Sequence, residues 1–118
     1  MSSKKPYDLE ERTFLFAKEV RLFIKTLKCS IANTEDSKQV VRSSGSIGAN
    51  YIEANESLSK KDFLHRVKIS KKEAKETTYW LKLINETNTI ENKQEIEELI
   101  IESIELKKIL SAIIDKSK

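Results

Sequence analysis

The sequence predicts an all-α protein: an antiparallel up-down-up-down four-helix bundle, formed as a single domain over residues 1–118. Only two glycines and one proline are available for turns, too few for a β-protein, and lysine, glutamate, leucine and isoleucine, which favour helix, are abundant. Apolar residues recur at alternating steps of three and four in four separate segments, the spacing of one helix face. We expect helices over about 8–29, 35–56, 60–86 and 93–116, with connections short enough to make neighbouring helices antiparallel.

Each predicted helix has a candidate N-cap immediately before its periodic segment. Serine, threonine, aspartate and asparagine are preferred there because their side chains accept a hydrogen bond from a free backbone N–H. An acidic residue three positions later, as in a capping box, strengthens the assignment for the first, third and fourth helices. The candidates are Asp8 for the first helix, Asn33 or Thr34 for the second, Ser59 for the third and Asn92 for the fourth.

Residues 42–55 decide the fold, because their composition is typical of a linker while their periodicity is typical of a buried helix. Five of the six residues from Ser43 to Gly48 are serine or glycine, and an interior glycine costs a helix roughly 1 kcal/mol relative to alanine. The helical spacing nevertheless continues from Val40 to Leu58, which a flexible linker has no reason to maintain. We interpret the segment as a helix whose small side chains let another helix approach closely.

A second set of apolar residues lies away from the core faces of the first, third and fourth helices. Together they would expose more apolar surface than a soluble monomer usually tolerates, so we expect a homo-oligomer. Contacts between unlike patches close only as a ring, which favours a cyclic assembly. The expected interface residues are Leu15, Leu22, Ile69, Tyr79, Trp80, Leu83, Ile101 and Ile109.

Basic charge is concentrated in residues 1–33 and 59–86, most strongly in the third helix, although the net charge of the chain is only +3. Three interpretations are open: a solvated face moderated by Glu73 and Glu76, a surface that binds nucleic-acid phosphates without reading sequence, or a surface for a protein partner. Four of the lysines, at positions 61, 68, 72 and 75, share one flank of the helix. The candidate nucleic-acid-binding residues are Lys60, Lys61, Arg66, Lys68, Lys71, Lys72 and Lys75.

The residues that could carry chemistry are few. Asn50 and Glu53 lie one turn apart on the second helix and are interpreted as a structural polar pair. His65 is the only histidine and Cys29 the only cysteine, so neither a multi-histidine metal site nor a disulfide framework can form within one chain. We therefore expect no catalytic residues, no metal, no cofactor and no enzymatic activity.

The N-terminal sequence, Met-Ser-Ser-Lys-Lys-Pro, contains no apolar signal-peptide core. No uncharged stretch approaches the roughly 18 apolar residues of a membrane span. The expected location is therefore the cytoplasm, without a membrane partner.

Several of these segments resemble one family. The run from Arg42 to Ala54, followed by Phe63-Leu64 and Glu76-Thr77, is similar to four-helix-bundle proteins encoded in intervening sequences of bacterial 23S ribosomal RNA genes. The most specific part is Ser46-Ile47-x-Ala49-Asn50-x-x-Glu53, after which that family commonly has glycine where this chain has alanine. The resemblance implies a pentameric ring and no established enzymatic activity. Related bundles are accessory proteins to reverse transcriptases of diversity-generating retroelements.

Together these features lead to two functional hypotheses. The first is a non-enzymatic oligomeric adaptor that presents a basic surface to RNA, DNA or a nucleic-acid enzyme such as a reverse transcriptase. The alternative is a small enzyme or ligand-binding bundle that uses Asn50 and Glu53 at a subunit interface.

Overall fold

The computed structural model describes residues 8–118, and the predictions that concern residues 1–7 lie outside the described part. Each helix packs against its neighbours in chain order, and the last packs against the first. This is the all-α, antiparallel four-helix bundle that the sequence predicts. The helices of the described part are α1 (Leu9–Ile24), α2 (Ile31–Asn55), α3 (Lys60–Thr87) and α4 (Lys93–Ser117).

Three of the four predicted N-caps are confirmed. The side chains of Asp8, Ser59 and Asn92 each accept a hydrogen bond from a backbone N–H of the first helical turn. The prediction for α2 is wrong. Ser30 is its N-cap and accepts from the N–H of Asn33 at 3.0 Å, so that α2 begins at residue 31 instead of 35.

The first helix is shorter than predicted, ending at Ile24 instead of near residue 29. After this point the backbone tightens, because the N–H of Leu27 donates to the carbonyl oxygen of Ile24 three residues back, at 3.1 Å. The hydroxyl of Thr26 donates to the carbonyl oxygen of Phe23 at 2.7 Å, so that a side chain satisfies an acceptor that a longer helix would use. The other helix bounds lie within one residue of the prediction.

The serine- and glycine-rich segment is helical, as its periodicity predicts, and lies in the middle of α2. Gly48 is where α1 comes closest: a Cβ atom at this position would lie 2.7 Å from the hydroxyl oxygen of Thr13 and 3.1 Å from its Cβ. The sequence predicts that the apolar stripe of this helix extends to Leu58, but the helix ends before that residue. The helix ends at Asn55, and Leu58 is fully exposed.

The predicted core faces point inward on all four helices. Small polar residues complete the contact between α2 and α3. The hydroxyl of Ser70 donates to the carbonyl oxygen of Ile47 at 2.7 Å, and the hydroxyl of Thr77 donates to that of Ser43 at 2.8 Å. Because both bonds are buried, these residues meet the requirement that buried polar groups have partners while keeping the two helices close.

A reciprocal pair of amides joins the start of α2 to the end of α3. The amide nitrogen of Asn33 donates to the side-chain oxygen of Asn88 at 2.8 Å, and the amide nitrogen of Asn88 donates back at 2.9 Å. Asn33 also donates to the carbonyl oxygen of Lys28 at 2.8 Å, which holds the connection between α1 and α2. Asn33, predicted as a possible cap, is therefore a buried residue that ties three segments together.

Arg12 and Glu102 fasten α1 to α4. The guanidinium group of Arg12 donates two hydrogen bonds to the carboxylate of Glu102, at 2.7 and 2.9 Å, and both side chains are less than one fifth exposed. These hydrogen bonds raise the pKa of Arg12 above its usual range, an effect that partial burial opposes. Bidentate geometry of this kind also fixes how the two helices are aligned.

The eight residues expected at an oligomer interface divide into two groups. Leu15, Leu22, Tyr79 and Ile101 are exposed. Ile69, Trp80, Leu83 and Ile109 are half-buried within the subunit, so a single subunit covers part of their surface and leaves the rest exposed. Trp80 and Ile109 pack directly against the core.

Within residues 8–118 no helix is long and apolar enough to cross a membrane.

Candidate nucleic-acid interface

A basic groove runs between α3 and α4, with a volume of about 400 Å³. Lysines from both helices line it, together with one apolar residue and one acidic residue. We call it the lysine groove. Its lining residues are Lys68, Lys71, Lys72 and Lys75 from α3, Lys107, Ile114 and Asp115 from α4, and Lys118 directly after α4.

The groove follows from helix periodicity and antiparallel packing. Lys68, Lys72 and Lys75 are spaced by four and three residues and so lie on one face of α3. Lys107 comes from the second half of α4, and Lys118 directly follows this helix. The second half of α4 runs alongside the first half of α3 because neighbouring helices are antiparallel. Near the middle of the bundle, the hydroxyls of Thr78 and Ser103 lie 2.6 Å apart and hold α3 to α4.

The charge of the groove is strongly positive, since six lysines and one aspartate line it. Asp115 is paired with Lys118, whose ammonium nitrogen lies 3.9 Å from the carboxylate. This pair is exposed and weak. Within the described part of the chain, the other five lysines of the groove form no ion pair, so their charge is available to an anionic ligand.

The two carboxylates that could reduce the positive charge of the lysines, those of Glu73 and Glu76, are paired with an arginine of α2. Arg42 of α2 lies 3.3 Å from the carboxylate of Glu73 and 3.0 Å from that of Glu76. Both acidic side chains are therefore paired on the side of α3 that faces α2, whereas the lysine groove is on the side that faces α4. The sequence shows that α3 carries both acidic and basic residues. The structure shows that the acidic side chains lie towards α2 and the lysines towards α4.

Three of the predicted basic residues do not line the groove. Lys60 and Lys61 are exposed in the first turn of α3. Arg66 instead donates to the side-chain oxygen of Asn50 at 3.2 Å. Sequence reasoning missed Lys107 and Lys118, which belong to a segment with a net negative charge; pairing the start of α3 with the end of α4 in an antiparallel model would have pointed to them.

Asn50 and Glu53 have different surroundings within the subunit. Asn50 donates to the carbonyl oxygen of Ser46 at 2.9 Å and accepts from Arg66, so it links α2 to α3. Glu53, one turn further along α2, is exposed. His65 on α3 is also exposed. Among residues 8–118, no group of three or more histidine, cysteine, aspartate or glutamate side chains is arranged to hold a metal ion.

A second groove, of about 540 Å³, lies between α1 and α2 on another side of the bundle. Its apolar rim includes three large exposed side chains, Phe14, Leu22 and Ile52. Gly45, Gly48 and Ala49 contribute little bulk between the two helices. This surface is more apolar than the lysine groove, although the charged residues Glu10, Lys18, Arg21 and Lys25 also line it.

The fold and the lysine groove define the class of protein: a small antiparallel helical bundle with one strongly basic surface. The chain belongs to the family of 23S rRNA-intervening sequence proteins, whose model matches residues 6–112. This confirms the family resemblance found in the sequence.

A solved structure supports the same assignment. The crystal structure of a protein of unknown function from the S23 ribosomal protein family of Bacteroides thetaiotaomicron is similar to this chain, with 34% sequence identity and a TM-score of 0.79. The similarity covers 91% of this chain and 98% of the other. A comparison with curated proteins found no match.

Proposed function

We propose that this protein is a non-enzymatic module that binds the phosphate backbone of RNA or DNA in the lysine groove. The observation that carries the proposal is the separation of charge on α3. Lys68, Lys72 and Lys75 face α4 without ion-pair partners among the described residues, while Glu73 and Glu76 are paired with Arg42. An anionic strand in the groove would therefore meet concentrated positive charge.

Binding of this kind depends on salt. Each lysine that neutralises a phosphate releases a condensed counterion, and the logarithm of the binding constant falls by about 0.7 per phosphate for each unit of log salt on a single strand. Since lysine acts as a point charge without base-specific geometry, we expect the groove to bind many sequences with similar affinity.

The lysine groove is tested with a fluorescently labelled single-stranded RNA and fluorescence anisotropy at several salt concentrations. Lys72→Ala combined with Lys107→Ala removes one charge from each wall. We expect about a tenfold weaker affinity at low salt and a shallower salt dependence, because about two phosphate contacts are lost.

Lys28→Ala combined with Lys38→Ala is the matched control. It removes the same charge at two exposed positions around the connection of α1 to α2, away from the lysine groove, and should bind RNA as the wild type does. Equal weakening by both double variants would show that only net charge matters. Absent or salt-independent binding by the wild type would contradict the proposed function.

We further propose that several copies of the chain assemble through exposed apolar side chains. Leu15, Leu22 and Ile101 are 37%, 45% and 57% exposed, and burying a side chain of this kind contributes roughly 1.5–3 kcal/mol. Phe14 and Ile52, beside Leu22 in the apolar groove, are also exposed. Such surfaces on a small bundle favour contact with another copy.

Leu22→Glu combined with Ile101→Glu tests the assembly. A charge buried without a partner at an interface is costly, so light scattering should show the wild type as an oligomer and the variant as a monomer of unchanged helix content. Trp80 is unsuitable for this test because it packs against its own core.

Gln39→Glu combined with Thr89→Glu adds the same charge at exposed polar positions and should leave the oligomer intact. A wild-type monomer at micromolar concentration would refute the assembly without affecting the test of the lysine groove.

A further inference from the structure

The exposed side of α3 beside the lysine groove carries one aromatic residue, Tyr79, in a row of lysines. Lys68, Lys72, Lys75, Tyr79 and Lys82 follow one another at steps of four, three, four and three residues, which places them in one stripe along the helix. Tyr79 is 58% exposed, and the lysines that precede it line the groove. The next position in the stripe is the exposed, acidic Glu86, where the basic surface ends.

We infer that this stripe binds single-stranded nucleic acid, with the lysines on its phosphates and the ring of Tyr79 stacked on a base. The inference rests on the proposed function and specifies which form of nucleic acid the site takes. Positive charge that follows a backbone, combined with an aromatic platform for bases, is the usual design of proteins that bind single strands without sequence preference.

The exposed ring distinguishes a single strand from a duplex. In a duplex the faces of the bases are already stacked on one another, and an outward-pointing tyrosine on a convex helix has no base face to contact. A single strand can turn a base towards the ring while its phosphates remain on the lysines. From Lys68 to Lys82 the helix rises about 21 Å, enough for about six stacked nucleotides at 3.4 Å each.

Trp80 supports the ring of Tyr79 from the side. The two ring centroids are 5.1 Å apart, and the planes meet at 78°, an edge-to-face contact. Trp80 is half-buried and packs against the core, so its contact with Tyr79 restricts the movement of the Tyr79 ring. A restricted ring loses less conformational entropy on binding than a freely rotating one.

Two labelled strands of about 12 nucleotides test the inference, a length within the usual range of site sizes. One is ordinary single-stranded RNA and the other is an abasic strand with the same number of phosphates. We expect the wild type to bind the strand with bases at least fivefold more tightly, since stacking on an aromatic side chain contributes about 1–3 kcal/mol per base. Tyr79→Leu should lose most of this preference while binding the abasic strand as the wild type does, and Tyr79→Phe should keep it.

Leu58→Ala is the control, because it removes a fully exposed large apolar side chain that lines neither the lysine groove nor the apolar groove. It should leave the affinity for both strands unchanged. Light scattering of Tyr79→Leu should match the wild type, since a lower mass would place Tyr79 between copies and overturn the inference.

The results also separate this inference from the proposed function. Equal binding of both strands by the wild type, or a base preference that survives Tyr79→Leu, overturns the stacking role while the lysine groove stands. Failure of the wild type to bind either strand at low salt overturns both.

Discussion

Replacing Gly48 with alanine should lower the free energy of unfolding by up to about 2 kcal/mol, although alanine is the better helix former. Helix propensity alone would stabilise α2 by about 1 kcal/mol. The new Cβ, however, would lie 2.7 Å from the hydroxyl oxygen and 3.1 Å from the Cβ of Thr13. Thr13 is buried and donates to the carbonyl oxygen of Leu9, so α1 must move, and such overpacking costs about 1–3 kcal/mol. Urea denaturation followed by circular dichroism measures the change.

Gly45→Ala is the matched control, one turn earlier on the same helix. There a Cβ would meet only the end of the flexible Arg21 side chain, at 3.1 Å, which can move at little cost. We expect Gly45→Ala to leave stability unchanged or to raise it by up to about 1 kcal/mol. If both substitutions have the same effect, the close approach of α1 at Gly48 does not limit stability.

These two glycines show what periodicity can and cannot predict. The spacing of apolar and small residues was enough to place residues 42–55 in a buried helix, against the evidence of composition. It did not show at which glycine α1 comes closest, because that depends on the rotation of α1 about its own axis. The early end of α1 at Ile24 could not be predicted for a related reason. The apolar pattern continues to Leu27, whereas the hydrogen bond from Thr26 at the helix end depends on the local backbone geometry.

The candidate site was predictable only in part. The lysines of α3 are close in sequence and follow helical spacing, so their common face could be recognised. Lys107 and Lys118 reach the same groove from a distant segment, and finding them requires the pairing of α3 with α4. The positions of Glu73 and Glu76 depend on Arg42, a contact between helices that no local pattern contains.

Asn33→Ala should destabilise the bundle by about 2–3 kcal/mol, more than is expected of Gly48→Ala. The side chain of Asn33 is buried and takes part in three hydrogen bonds, two with Asn88 and one with the carbonyl oxygen of Lys28. Its removal loses all three of these partly buried hydrogen bonds, and each contributes about 0.5–1.5 kcal/mol. Urea denaturation of the wild type and variant gives the difference.

A double-mutant cycle with Asn88→Ala isolates the contribution of the amide pair. The two single substitutions should not add, because each already breaks the same two hydrogen bonds, and we expect a coupling of about 1 kcal/mol or more. Asn85→Ala on the same helix serves as the control. Among residues 8–118 its side chain accepts only an exposed hydrogen bond, from Lys93, so the substitution should cost less than about 0.5 kcal/mol. Additive effects of Asn33→Ala and Asn88→Ala would mean that the amide pair contributes little and that α2 and α3 are joined at this end by apolar packing alone.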